Sequence, residues 1–143
     1  MIQIRRSAIV RYTPTQMFDL VNDVEAYPRR FAWCASARVL ARDDATVTAR
    51  LEVRVGAMTQ TFTTRNTLMP PQRLEMQLVD GPFRYLAGAW EFAPLGSDGC
   101  KVSLALDFDF AGGLMAPLMR AGFQKLADHF VDEFCAEAQR AYG

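Results

Sequence analysis

The sequence has a single histidine, and this narrows the reactions that it can support. His129 is the one imidazole in 143 residues, and Asp128, Asp132 and Glu133 lie beside it in the C-terminal segment. Nucleophilic catalysis of the Ser-His-Asp type needs an imidazole base next to the nucleophile. The acidic neighbours favour a solvated surface histidine. We therefore predict that the chain has no catalytic residues and is not an enzyme.

Patterns for metal binding or disulfide formation are also lacking. Cys34, Cys100 and Cys135 are odd in number and far apart, which favours reduced structural thiols over a disulfide framework or a zinc site. Asp107 and Asp109 form a carboxylate pair on the more polar face of a predicted strand. We predict that these two carboxylates face water and that the chain has no metal site.

Long apolar runs and glycine-rich phosphate loops are missing as well. Charged residues interrupt every apolar stretch well short of the roughly 20 residues that cross a bilayer. No apolar run of the signal-peptide type follows Arg5 and Arg6. No phosphate-binding glycine loop is found. We therefore expect a cytoplasmic protein.

The composition is typical of a globular protein, and the charge is unevenly distributed along it. Half of the residues are apolar and 22% are charged, so we predict a single domain over residues 1–143. Residues 1–73 contain 11 arginines and six acidic residues, a net +5, and residues 74–143 contain five basic and ten acidic residues, a net −5. This asymmetry is compatible with a basic face for RNA or anionic lipid, but the arginines are spread through strands and turns, which favours scattered solvated charges.

The order of the sequence patterns predicts an α+β fold. After a first strand, Thr13 and Pro14 mark the start of a short helix, and Pro28 marks a second helical turn or a bend. Residues 45–56 alternate strictly between apolar and polar side chains. Turn residues separate this strand from the β patterns that follow. Five or six such strands, joined this closely, predict an antiparallel meander.

The C-terminal segment has a different period. After Gly112 and Gly113 the apolar residues recur about every 3.6 positions through to Tyr142. A helix of nearly 30 residues would be roughly 40 Å long and would cross a small sheet. We predict a curved antiparallel sheet wrapped around one long C-terminal helix, with one or two short helices after the first strand.

A run of small residues indicates where this fold is hollow. Ala87, Gly88 and Ala89 lie in a predicted strand between large aromatic residues. A strongly bent sheet around a helix leaves unfilled space, which is the expected ligand site. Empty volume costs about 24 cal/mol per Å³, so the hollow favours an apolar ligand. The alternative interpretation is that Gly88 marks a bulge or a close approach of another element.

Methionines supply a second indication of an adaptable apolar site. The flexible, polarizable methionines suit a pocket for a long or variable apolar molecule, although methionine at helical spacing is also ordinary core filler. The methionines considered for this role are Met58, Met69, Met76, Met115 and Met119.

Several stretches together resemble one known family. Residues 12–34, 64–96 and 99–110, with a long helix that closes on residues 138–143, resemble the coenzyme Q-binding proteins of the START-like superfamily. This group is also described as polyketide cyclase/dehydrase-like and includes the bacterial ribosome-association toxin. The similarity runs from about residue 3 to the C-terminus. In one departure, Ala32 precedes Trp33 and Cys34 where many relatives have proline.

The resemblance implies both a fold and a function. It implies a helix-grip fold with an elongated apolar tunnel between the sheet and the C-terminal helix. It also implies non-enzymatic binding of ubiquinone or another polyisoprenoid lipid that supports respiratory electron transport, with no cofactor and with peripheral contact to the inner membrane. The alternatives are binding to the large ribosomal subunit, which blocks subunit joining, and, less favoured, cyclisation of an aromatic polyketide.

Candidate residues follow for the two binding functions. A quinone headgroup needs one or two polar contacts in an otherwise apolar site, and Tyr85, Asn66 and Arg84 are the candidates. The candidate phosphate contacts to ribosomal RNA are Arg5, Arg6, Arg29 and Arg30. The full set of candidate ligand-binding residues is Trp33, Phe62, Asn66, Met76, Leu78, Phe83, Tyr85, Gly88, Trp90, Leu106, Phe108, Leu118, Met119, Phe123, Leu126 and Phe130.

Overall fold

The computed structural model describes residues 1–114 and 116–143. Met115, one of the methionines considered above, lies outside the described residues. The strands are β1 (Ile2–Val10), β2 (Cys34–Arg42), β3 (Thr46–Val55), β4 (Met58–Met69), β5 (Arg73–Asp80), β6 (Phe83–Leu95) and β7 (Gly99–Phe110). The helices are α1 (Pro14–Asn22), α2 (Tyr27–Arg30), α3 (Ala116–Ala127) and α4 (Phe130–Tyr142), with a 3-10 turn at Val24–Ala26.

The strands form one antiparallel sheet in the order β1-β7-β6-β5-β4-β3-β2. Strands β2 to β7 follow one another as a meander, and β1 pairs with β7 at the far edge. The sheet is curved, and the C-terminal helices pack against it. The predicted α+β fold, with six antiparallel strands after two short helical segments, is confirmed. None of the helices in the described ranges has the length and apolarity to cross a lipid bilayer.

Helix α1 begins where the sequence predicts. The Thr13 hydroxyl accepts a hydrogen bond from the Gln16 backbone N–H at 3.2 Å, and the Gln16 side-chain oxygen accepts one from the Thr13 N–H at 2.9 Å. This capping box satisfies two N–H groups that the first helical turn leaves unpaired. Pro14 occupies the first turn, where its missing N–H costs nothing.

Alternation in β3 and β7 places their apolar side chains on the inner face of the sheet. Val47, Ala49, Val53 and Val55 are buried in β3, while the intervening arginines are exposed. In β7 every even-numbered residue from 100 to 110 is buried. These side chains join a hydrophobic core that also includes residues of α1, α3 and α4.

The C-terminal segment forms two helices rather than one. Asp128 and His129 lie in a turn between α3 and α4. The Asp128 carboxylate lies 2.9 Å from a guanidinium nitrogen of Arg6 in the edge strand β1, which anchors the turn to the sheet. The prediction of one helix of nearly 30 residues was wrong. The apolar period continues in phase across residues 126–134, so periodicity alone does not reveal the break.

Candidate functional site

A partly open cavity lies between the inner face of the sheet and the helices. Side chains from strands β3 to β7, and from α1, α2, α3 and α4, line it. The cavity has a volume of about 80 Å³, which is room for roughly six ordered waters at about 10–15 Å³ each. This is room for one substituted six-membered ring, and it is less than an elongated tunnel for an isoprenoid chain would need.

The described residues that line the cavity are all uncharged, and two of them, Asn66 and Trp33, carry N–H donors that no described residue pairs with. The Thr64 hydroxyl donates to Oδ1 of Asn66 at 2.9 Å, so the Asn66 amide keeps its two N–H groups for another acceptor. The Trp33 indole N–H is buried in the wall with no partner among the described residues. Tyr27 already donates its hydroxyl to the Val21 carbonyl, and burial raises the pKa of this phenol. An acceptor-bearing neutral ligand therefore suits this wall.

Aromatic rings pack together on the helix side of the cavity. Phe31, which lies behind the wall, stacks on Trp33 with ring centroids 5.0 Å apart, and its ring centroid lies 4.6 Å from that of Phe134 in α4. Phe123 of α3 and Phe130 of α4 lie with centroids 6.4 Å apart across the helix break. Each such aromatic pair contributes about 0.5–1.5 kcal/mol beyond its buried area. Both C-terminal helices therefore contribute to the wall of the cavity.

The bend at Ala32 is held by hydrogen bonds from β3. A guanidinium nitrogen of Arg54 donates to the Ala32 carbonyl at 2.6 Å, and the Arg54 backbone N–H donates to the Trp33 carbonyl at 2.8 Å. Arg54 thus fixes the segment that carries Trp33 into the wall.

Half of the sixteen candidate residues line the cavity, and the rest do not. Those in the wall are Trp33, Phe62, Asn66, Met76, Trp90, Leu106, Phe123 and Phe130. Three others, Phe83, Phe108 and Met119, are buried in the core without lining the cavity, and Leu78 and Leu126 are partly buried against that core.

Two of the remaining candidates are on the surface. Leu118 is 61% exposed on α3, because the apolar stripe of that helix is broader than its buried face. Tyr85 is 45% exposed, since a bulge between Phe83 and Tyr85 shifts the register of β6 against β7 and reverses the alternation. Arg84 is exposed as well. Of the three headgroup candidates, Asn66 alone lies at the cavity.

Position 88 in β6 needs a glycine because β7 lies close to it, and not because the fold is hollow there. A Cβ atom at this position would lie 2.4 Å from the Ala105 carbonyl oxygen and 3.0 Å from Cα of Leu106. Gly88 therefore lets β6 and β7 approach closely, which is the alternative interpretation of a strand glycine. Gly88 does not line the cavity.

Sequence reasoning missed eleven residues of the wall. They are Val21, Val24, Tyr27, Ala49, Leu51, Val53, Thr64, Leu74, Leu86, Leu104 and Phe134. The alternation of β3 already places its three members on the inner face. The residues of α1, the 3-10 turn and α2 carry no comparable signal, because helical periodicity does not show which part of a buried face borders a void.

The reactive groups singled out in the sequence lie away from the cavity or are inert. The cysteines are unpaired, as predicted, and burial raises the pKa of Cys34 and of Cys135 to about 11. Asp107 and Asp109 pair with arginines on the outside of β7. His129 is exposed, as predicted. The described residues contain no group of three or more His, Cys, Asp or Glu side chains that could hold a metal ion.

Three of the four arginines expected to contact phosphate are already paired. Arg5 lies 2.8 Å from Asp107, Arg6 lies 2.9 Å from Asp128, and Arg30 lies 2.9 Å from Glu137. These ion pairs join residues far apart in the chain, so the sequence does not reveal them. A phosphate-binding surface among the described residues would therefore lie elsewhere.

Comparisons with known proteins agree with the fold and offer two kinds of function. Residues 10–135 match a family model described as polyketide cyclase/dehydrase and lipid transport. The chain is 43% identical to the ribosome association toxin RatA of Pseudomonas aeruginosa, over 98% of this chain and 97% of that protein. It is 27% identical to a mitochondrial coenzyme Q-binding protein homolog of Xenopus laevis, over 99% of this chain and 60% of that protein.

Solved structures of low sequence identity share the architecture. The Zhui aromatase/cyclase from Streptomyces sp. R1128 superposes with a TM-score of 0.88 at 16% identity, over 99% of this chain and 96% of that chain. A START superfamily protein from Mycobacterium smegmatis superposes with a TM-score of 0.81 at 19% identity, over 97% and 98%. The helix-grip fold expected from the resemblance is thereby confirmed.

Proposed function

The chain belongs to the polyketide cyclase/dehydrase and lipid transport family, and from this premise we propose that residues 1–143 are one domain that binds a quinone of the ubiquinone type without chemical conversion. The observation that carries the proposal is the uncharged cavity whose free polar groups, at Asn66 and Trp33, are donors. Quinone carbonyl oxygens accept hydrogen bonds and donate none, so they match these groups. The similarity to a coenzyme Q-binding protein homolog supports the same ligand class.

The size of the cavity limits how such a ligand is held. The quinone ring with its substituents fits the available room, whereas a chain of several isoprene units exceeds it. We therefore assign the ring to the cavity and the far part of the isoprenoid chain to the protein surface. Such a carrier would meet its ligand at the inner membrane and otherwise reside in the cytoplasm.

Filling the cavity is expected to weaken quinone binding while leaving the fold intact. Ala49 is buried in the cavity wall on β3, so Ala49→Phe places a ring where the headgroup would lie. We expect the affinity for a benzoquinone with one isoprene unit to fall at least about tenfold, or about 1.4 kcal/mol. Titration followed by tryptophan fluorescence measures this, and mass spectrometry of extracted wild-type protein should detect quinone.

The matched control for this substitution is Ala105→Phe, on the outer face of β7 and outside the cavity wall. It adds the same ring to the same sheet, and it should bind the quinone as the wild type does. If Ala49→Phe folds normally and still binds with wild-type affinity, the cavity is not the quinone site.

A second candidate function is association with the large ribosomal subunit. The identity of 43% to a ribosome association toxin, over nearly the full length of both proteins, favours it. Quinone binding and ribosome association do not exclude each other, because the cavity lies between the sheet and the helices and leaves the outer face of the sheet free for a ribosome.

Cosedimentation with purified large subunits tests the second function. Binding through phosphate contacts should weaken by at least about tenfold between 50 and 200 mM salt, because each neutralised phosphate releases counterions. A protein that only carries quinone stays in the supernatant at both salt concentrations. Sedimentation that is independent of salt would argue against phosphate recognition.

A further inference from the structure

The arginines of this protein divide into two groups by their ion pairing. Seven of the 14 lie within 4.0 Å of a carboxylate oxygen: Arg5, Arg6, Arg30, Arg73, Arg84, Arg120 and Arg140. The other seven arginines make no such pair with a described residue, and five of them lie in three adjacent strands. These are Arg38 and Arg42 in β2, Arg50 and Arg54 in β3, and Arg65 in β4.

Three of these arginines converge on the outer face of the sheet. Arg38 and Arg50 are directly opposite each other in the β2–β3 pair. Thr63 is the β4 partner of Arg50 and lies two residues before Arg65, so Arg50 and Arg65 are diagonal neighbours. Directly opposed side chains are about 4.5–5.5 Å apart at Cβ, and diagonal ones about 7–8 Å. We call Arg38, Arg50 and Arg65 the outer arginine cluster.

The exposure and the charge of the cluster favour the binding of an anion. All three side chains belong to exposed residues, and like charges placed directly opposite each other in a sheet are destabilising. Two acidic residues lie on the same face. Glu52 of β3 is opposite Ser36 in β2 and Thr61 in β4, and Asp80 of β5 is opposite Thr63 in β4. Neither forms an ion pair with the cluster in the described part of the chain. An anion bound at the cluster would relieve this repulsion.

The surroundings of the cluster favour RNA over a membrane surface. Short hydroxyl side chains, Thr48 and Thr61, flank the arginines on the same face, and hydroxyl groups are common phosphate contacts. Binding in a lipid interface relies on a broad apolar face beside the charges, and in this part of the sheet Leu40 is the large apolar side chain that is exposed. Guanidinium groups bind phosphate in a bidentate way.

We propose that the outer arginine cluster binds the phosphate backbone of ribosomal RNA. This inference rests on the ribosome association proposed above and names the surface that would carry it. Strand β3 serves both functions, because Ala49 and Leu51 face the cavity while Arg50 faces outward. RNA and quinone therefore bind on opposite faces of one sheet and can bind at the same time.

The test compares two triple variants that remove the same charge. The cluster variant is Arg38→Gln with Arg50→Gln and Arg65→Gln. The control variant is Arg5→Gln with Arg73→Gln and Arg84→Gln, which removes three arginines that are paired within the chain. Dissociation constants for purified large ribosomal subunits are measured by cosedimentation at several salt concentrations, and thermal unfolding verifies that each variant is folded.

The cluster variant is expected to bind at least about 30-fold more weakly, and its salt slope should fall by about two to three units because three phosphate contacts are lost. The control variant should bind within about threefold of the wild type. Equal losses in both variants, or no loss in the cluster variant, would overturn this inference while leaving ribosome association in place.

Two further outcomes separate this inference from its premise. If the wild-type protein does not sediment with subunits at low salt, ribosome association fails and this inference fails with it. If the wild type instead binds vesicles that contain anionic phospholipid, and the cluster variant loses that binding, the surface serves a membrane and the RNA assignment is wrong.

Discussion

Replacing Glu137 by glutamine is expected to lower the free energy of unfolding by about 2–4 kcal/mol. Glu137 is 5% exposed on α4, and its carboxylate accepts hydrogen bonds from Arg30 of α2, at 2.9 Å, and from Arg140. Without the Glu137 carboxylate, the Arg30 guanidinium has one carboxylate within reach, that of Asp23 at 3.8 Å. The Arg30 side chain is 16% exposed. A charge left without its buried partner destabilises the folded state strongly.

The effect of this substitution should depend on pH. The hydrogen bond from Arg140 is the largest cause that holds the pKa of Glu137 below its ordinary value of 4.5, burial opposes it, and Arg30 adds to the lowering. A carboxylate with a lowered folded-state pKa stabilises the protein above its unfolded pKa and loses that contribution as the pH falls through the folded pKa. The difference between wild type and Glu137→Gln should therefore be full at pH 7 and shrink below pH 4.5.

Urea denaturation at pH 7 and at a series of pH values below 4.5 measures both effects. Glu133→Gln is the matched control, because Glu133 is an exposed residue of the same helix and its loss should change stability by less than about 0.5 kcal/mol. A Glu137→Gln protein as stable at pH 7 as this control would mean that the pair does not hold α2 against α4.

Replacing Gly88 by valine is expected to cost about 3 kcal/mol of unfolding free energy. Valine is favoured in strands, yet its Cβ would lie 2.4 Å from a backbone oxygen of β7. Backbone atoms of a paired strand move less readily than the end of a side chain, so β6 and β7 would have to separate. Part of the inner face of the sheet would be disrupted with them.

The neighbouring substitution Ala87→Val provides the control. Ala87 is half-buried and lies on the opposite face of β6, so the same side chain should change stability by less than about 1 kcal/mol. Chemical denaturation of both variants decides the comparison. Equal stabilities would show that β6 and β7 do not need the close contact, and that the glycine has some other role.

Local patterns in the sequence predict local structure well here. The capping box at Thr13, the alternation of β3 and β7, and the meander of closely joined strands all depend on residues within a few positions of each other. The family resemblance extended these patterns to the helix-grip fold. Five of the eight candidate residues in the cavity wall lie on strands, where alternation indicates which face is the inner one.

The errors have specific causes. The bulge after Phe83 turned Tyr85 outward, since one shifted residue reverses every later side chain on a strand. The break at Asp128 and His129 preserved the apolar phase, so two helices looked like one. Gly88 looked like a sign of empty space, and only the position of β7 shows that the space is filled.

The amino-acid sequence by itself determined the order of strands and helices, their apolar faces and the family, because each of these depends on periodicity and short motifs. The tertiary structure alone decided how large the cavity is, which polar groups border it and which arginines remain unpaired. Arg5 and Asp107 are 102 positions apart, and Arg6 and Asp128 are 122 apart. Long-range pairs of this kind form only when the sheet closes against the helices, so no local pattern encodes them.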